Sequence, residues 1–104
     1  MNFKLFEELY SQALEYDDLD MYVAERGWQD WMDSVGDPGK TLNEVYFLAH
    51  AEIKEIRERL GFSRIQFSRN FCIPNRTVEN WEYGNNRCPD YVKTFLSYAA
   101  FNYE

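Results

Sequence analysis

Apolar residues recur at spacings of three and four along most of this chain. Phe3, Phe6, Leu9, Tyr10, Ala13 and Leu14 form the first stripe, which predicts an amphipathic helix of about four turns. Asp17-Asp18 breaks it. A weaker helical stretch follows from Leu19 to Trp31, carried by Tyr22, Val23, Trp28 and Trp31 and interrupted by Gly27. Asp37-Pro38-Gly39 is the clearest punctuation in the sequence and predicts a boundary, with residues 1–38 as a helical extension and 39–104 as the main domain. Thr41 and Glu44 then read as a capping box opening a long helix. Its stripe is Val45, Leu48, Ala49, Ile53, Ile56 and Leu60, and Gly61 ends it. Beyond Pro89 a closing helix is expected over Asp90–Tyr103, with Val92, Phe95, Leu96 and Ala99 on one face. No strand-like alternation competes, so the expected fold class is all-α.

Between Gly61 and Pro89 the pattern shortens into two small helices joined by a tight turn. Ser63 and Gln66 have capping-box spacing, and Phe67, Ser68 and Phe71 share one face. Pro74 cannot donate an amide hydrogen bond, so it ends the first helix upstream and suits the first turn of the next. Val78 and Trp81 lie on the inner side of that second helix, and Trp81 is expected in the core. Gly84 supplies a left-handed end, with the turn continuing through Asn85-Asn86. The outer side of the second helix begins with Asn75 and Arg76 and continues one turn later with Asn80. An Arg guanidinium matches O6 and N7 of guanine, and an Asn amide matches N6 and N7 of adenine. Glu79 can accept from cytosine N4 or repel a phosphate. Arg64 opens the first of the two helices, where a phosphate is favoured, and Asn86 and Arg87 in the following loop suit the nucleic-acid backbone. The plainer reading of each is a solvated surface residue.

This segment resembles the XRE-type, Cro/cI-like helix-turn-helix regulators. The resemblance rests on Ser63, Phe67, Ser68, Phe71, Ile73, Pro74, Thr77, Val78, Trp81, Glu82, Gly84 and Pro89 and covers residues 50–96. One departure is Cys72 at the turn, where the family usually has Gly; a positive φ there strains a residue with a Cβ. The resemblance implies a lambda-repressor-like helix-turn-helix bundle, to which the acidic N-terminal helices are an extension. It implies base contacts at Asn75, Arg76 and Asn80, with Thr77 beside them on the DNA backbone. It also implies a partly buried ion pair between Arg57 and Glu82, tying the first helix of the domain to the recognition helix.

Charge complicates the picture. The net charge of −7 is unevenly spread: residues 1–52 hold twelve acids against Lys4, Arg26 and Lys40, a net of −9, while residues 53–104 hold eight bases against six acids, a net of +2. The bases therefore lie where the motif is, and a weakly basic face implies modest non-specific affinity for DNA. The acidic half is either an extra helical pair with its carboxylates in water or a partner surface formed by Trp28, Trp31, Tyr10 and Tyr16 among carboxylates.

Composition then excludes several classes. The 104 residues, 45% hydrophobic and 18% aromatic, are enough for a core. Cys72 and Cys88 are too few for a disulfide framework and are expected as reduced thiols. One His (His50), read as an ordinary helix residue, and no CxxC motif leave no metal site, and no cofactor motif is present. No apolar run approaches the about 20 residues that span a membrane, and no signal peptide opens the chain, which points to the cytoplasm. Nothing supplies a nucleophile elbow or phosphate loop, so an enzyme is not expected. The leading expectation is a dimeric transcriptional (auto)repressor on an inverted-repeat operator in double-stranded DNA, with the N-terminal or closing helix forming the dimer. The alternatives are an antitoxin-type regulator and a phage or mobile-element inhibitor (anti-CRISPR or anti-restriction), both using the acidic half to bind a protein.

Overall fold

Asn2 starts the first helix, its Oδ1 accepting from the Leu5 amide at 2.9 Å. This helix, α1, spans Phe3–Ala13 in the computed structural model, which describes Met1–Tyr103. The described residues form α-helices and one 3-10 segment, with no strand among them. No helix among them is long and apolar enough to cross a membrane. The chain divides into two compact units, the first Met1–His50 and the second from Ala51 onward.

In the first unit, α2 (Leu19–Arg26) is capped by Asp18, whose Oδ1 accepts from the Asp20 amide at 2.8 Å. Gly27, at φ 58°, ends it. A 3-10 segment, Asp30–Ser34, then leads to α3, Pro38–His50. Both α1 and α2 pack on α3. The core joins Phe6, Leu9, Tyr10 and Ala13 of α1 to Tyr22 of α2, Met32, and Leu42, Val45, Leu48 and Ala49 of α3. Tyr22 is fully buried, and its hydroxyl donates to the Leu9 carbonyl at 2.9 Å, satisfying the polar end of an otherwise apolar ring. The Arg26 guanidinium carbon lies 4.9 Å from the Tyr22 ring centre and 5.5 Å from that of Tyr16. At the end of α3, His50 Nε2 meets the Ala13 carbonyl at 2.8 Å, at the end of α1.

The second unit holds α4 (Ile53–Arg59), α5 (Arg64–Phe71), α6 (Asn75–Glu82) and α7 (Asp90–Phe101). Its core is Ala51, Ile53, Ile56, Phe67, Val78 and Leu96, with α4 against both α6 and α7. Three successive helix ends use one device, a left-handed residue followed by an amide that reaches back five residues. Gly61 (φ 74°) precedes Phe62, whose amide meets the Arg57 carbonyl at 3.2 Å; Cys72 (φ 56°) precedes Ile73, bonded to Ser68 at 3.0 Å; Gly84 (φ 78°) precedes Asn85, bonded to Asn80 at 2.9 Å. These bonds occupy carbonyls that a helix end leaves open.

Several expectations are corrected. The long helix from Thr41 to Leu60 is two helices, because Glu52 is extended (φ −85°, ψ 163°) and its amide donates to Glu55 Oε1 at 2.9 Å, starting a new helix. The stripe continues in register across this break, so spacing alone could not find it: Leu48 and Ala49 serve the first core, Ile53 and Ile56 the second. The units therefore meet at His50/Ala51, not after Pro38, and α3 belongs to the N-terminal unit. Its cap is Asp37 and not Thr41, with Oδ1 accepting from the Lys40 amide at 3.0 Å and Pro38 in the first helical position. Leu14 lies beyond α1 and is exposed. Phe95 of α7 is exposed as well, while its neighbour Ser97 is buried, and Trp81 is only half-buried.

Two consequences are measurable. A left-handed conformation costs a residue with a Cβ about 1–2 kcal/mol, whereas glycine's extra freedom in the unfolded chain gives back only about 0.4–1 kcal/mol. Cys72→Gly is therefore expected to stabilise the second unit by roughly 0.5–1 kcal/mol, raising the urea midpoint at constant slope; a lower midpoint would refute the strain. Burial raises the Tyr22 phenol from 10.0 to about 12, against a smaller opposing effect of Arg26. The native state thus holds this proton more tightly than the unfolded chain does. That stabilisation is complete below pH 10 and is lost as the pH rises to 12, a loss on the order of 3 kcal/mol. Tyr22→Phe should be weaker by about 1 kcal/mol at pH 8 yet lose less between pH 10 and 12; melting curves with the same alkaline slope as the parent would exclude this role.

Candidate nucleic-acid interface

Arg57 positions the two motif helices. Its Nε and Nη2 donate to Glu82 Oε2 and Oε1 at 2.8 and 3.0 Å, and Nη1 donates to the Phe62 carbonyl at 2.9 Å. The Glu82 side chain is 4% exposed and that of Arg57 14%. The hydrogen bond to Glu82 holds the guanidinium pKa above its ordinary value, against the effect of burial. One side chain of α4 thereby fixes both the last turn of α6 and the entry to α5.

Ser63 caps α5: its Oγ accepts from the Gln66 amide at 3.1 Å, and Gln66 Oε1 accepts from the Ser63 amide at 2.8 Å, as the spacing predicts. Phe67 of α5 and Val78 of α6 are buried, which sets the two helices face to face. The link Cys72-Ile73-Pro74 is held by Ser68, whose Oγ donates to the Ile73 carbonyl.

The predicted base-reading residues differ in availability. Arg76 is exposed on the first turn of α6. Asn80 is half-buried one turn on and accepts from Asn85 Nδ2 at 3.4 Å. Asn75 is engaged: its Nδ2 donates to Glu79 Oε1 at 2.9 Å, while its Oδ1 is buried without a partner. A cavity of about 270 Å³ bordered by Arg64, Asn75 and Glu79 lies beside this pair.

Among the predicted backbone-contacting residues, Thr77 is half-buried and its amide closes the first turn on the Pro74 carbonyl at 3.0 Å. Arg64 does not simply extend into water. Its guanidinium carbon lies 5.0 Å from the Tyr83 ring centre and it donates to the Tyr83 hydroxyl, which raises its pKa. Tyr83 itself is 64% exposed and was not singled out by sequence reasoning; no local spacing links it to Arg64. Asn86 is exposed. Arg87 is too, with Nη2 2.7 Å from Asp90 Oδ1, a surface pair that adds little stability.

Removing one member of the Arg57–Glu82 pair should be far costlier than removing both. Arg57→Met leaves an unpaired buried carboxylate and is expected to destabilise the second unit by about 3–5 kcal/mol, whereas Arg57→Met combined with Glu82→Leu should recover most of that loss. A double-mutant cycle in urea measures the coupling; additive losses would mean that the pair does not act as a unit.

No family model matches the chain, and neither does any curated protein or any solved structure.

Proposed function

We propose that the second unit is a lambda-repressor-like helix-turn-helix domain of the XRE type, and that the protein is a sequence-specific regulator reading the major groove with α6. The observation that carries this reading is the pairing of α5 and α6 across the three-residue link Cys72-Ile73-Pro74. It buries Phe67 and Val78 and leaves Arg76 exposed on the first turn of α6. The Arg57–Glu82 pair, joining α4 to the end of α6, adds support. In this reading Arg76 and Asn80 meet base edges. Asn75 and Glu79 act as one hydrogen-bonded pair presenting an acceptor, and Arg64, Thr77, Asn86 and Arg87 hold the backbone. A homodimer places two α6 helices in successive major grooves about 34 Å apart on an inverted repeat.

A second reading gives the N-terminal unit a basic protein partner, as in an antitoxin or an inhibitor from a mobile element. Trp28 favours it, being 69% exposed in a stretch rich in exposed carboxylates. Tyr10, by contrast, is buried and takes no part in such a surface.

Salt-titrated binding to duplex from upstream of the protein's own gene, beside a scrambled duplex, tests the first reading. Arg76→Ala and Asn80→Ala should each cost about 1–3 kcal/mol on the specific duplex only. Arg64→Ala should weaken both duplexes alike and reduce the salt slope by about one. Equal binding to both duplexes by the parent protein would sink the proposal.

A further inference from the structure

Asn75, Glu79 and the residue that ends α6, Tyr83, follow at steps of four and share one side of the helix. An ionised carboxylate only accepts hydrogen bonds, so the bond from Asn75 Nδ2 to Glu79 Oε1 fixes which way the amide points. The amide oxygen is left buried and without a partner. An orphaned acceptor costs stability, and the fold carries that cost with the bond to Glu79 in place. Asn75 therefore does not set amide donor and acceptor side by side against adenine, as reading N6 and N7 requires. What the pair has left to offer is the second carboxylate oxygen of Glu79, which has no hydrogen bond among the described residues. Arg64 borders the same cavity of about 270 Å³ as Asn75 and Glu79, yet it stacks on Tyr83 and donates to the Tyr83 hydroxyl. That hold keeps its guanidinium off the Glu79 carboxylate.

We infer that Glu79 is a specificity-determining residue of α6, its carboxylate selecting cytosine through the N4 amino group and rejecting guanine, with Asn75 as its positioning residue. The inference rests on the reading of α6 as the helix that enters the major groove. Cytosine alone presents a donor there with no acceptor beside it. Adenine sets N7 next to its N6 amino group, thymine offers O4, and guanine offers N7 and O6. A carboxylate is repelled by each of those acceptors and has no proton to give them. Arg76, exposed three residues before Glu79, has the opposite character: it only donates, and it suits guanine. Neighbouring positions on one helix thus call for bases of opposite kind.

The test retains duplexes from a randomised pool on the full chain and sequences what is held. A recurring site with cytosine fixed at one position of each half-site is expected for the parent. Glu79→Gln keeps an acceptor for Asn75 but gains an amide donor, which matches adenine. It should lower the preference for cytosine at that position about tenfold, in favour of adenine, and leave the other positions as they were. Glu79→Ala, which offers neither group, should make the same position indifferent. Asn75→Ala should broaden that position alone, because it releases Glu79 without removing the carboxylate. Damage to the fold would instead weaken every position together. A parent site with no fixed cytosine, or one whose cytosine survives Glu79→Gln unchanged, overturns the assignment and leaves α6 as the DNA helix. A position kept as sharp by Asn75→Ala overturns the positioning role. A parent that holds no recurring site overturns the assignment together with the DNA reading.

Discussion

The Arg57 guanidinium serves acceptors from two parts of the second unit, the Glu82 carboxylate at the end of α6 and the Phe62 carbonyl beyond α4. A buried ion pair is a poor source of net stability, because taking both charges out of water offsets most of their attraction. Its value here is directional. Two parallel hydrogen bonds between planar groups restrict rotation of α6 about its own axis, and that rotation decides whether Arg76 or an inner side chain meets the outside. Hydrophobic burial of Phe67 and Val78 supplies cohesion without such a preference in angle.

The turns set the remaining freedom. Helices of seven or eight residues, such as α4, α5 and α6, are too short to persist alone in water. Each is ended by a left-handed residue whose following amides return to the helix, so the chain reverses direction with its carbonyls occupied. Two of those residues are glycines and one is Cys72, so the device is the same but its local cost is not.

Much of this was legible in the sequence, for reasons that differ by residue. Ser63 and Gln66 announced a cap because both partners lie within one turn of each other. Gly61 and Gly84 announced helix ends because little else adopts their conformation easily. The break at Glu52 was hidden: its cap partner, Glu55, is as ordinary inside a helix as at its start, and the apolar rhythm does not falter there. The burial of Arg57 and Glu82 and the stacking of Arg64 on Tyr83 join residues 25 and 19 positions apart, so no local period encodes them. The pairing of Arg57 with Glu82 was accessible only through resemblance. Asn75 carried the right chemistry for a base edge, but its engagement with Glu79 depends on rotamers that composition does not reveal.

One uninterrupted apolar rhythm thus feeds two cores, and only Ala51 and Glu52 separate the helix that ends the first from the helix that begins the second. Ala49 and Ala51, on either side of the seam, are both buried. Two cores on one chain allow two melting events, and a single unfolding free energy is defined for it only where the two coincide. Strain at Cys72 and alkaline loss at Tyr22 fall on opposite sides of that seam. Calorimetry on the Cys72 and Tyr22 variants therefore tells whether the two cores melt together or apart.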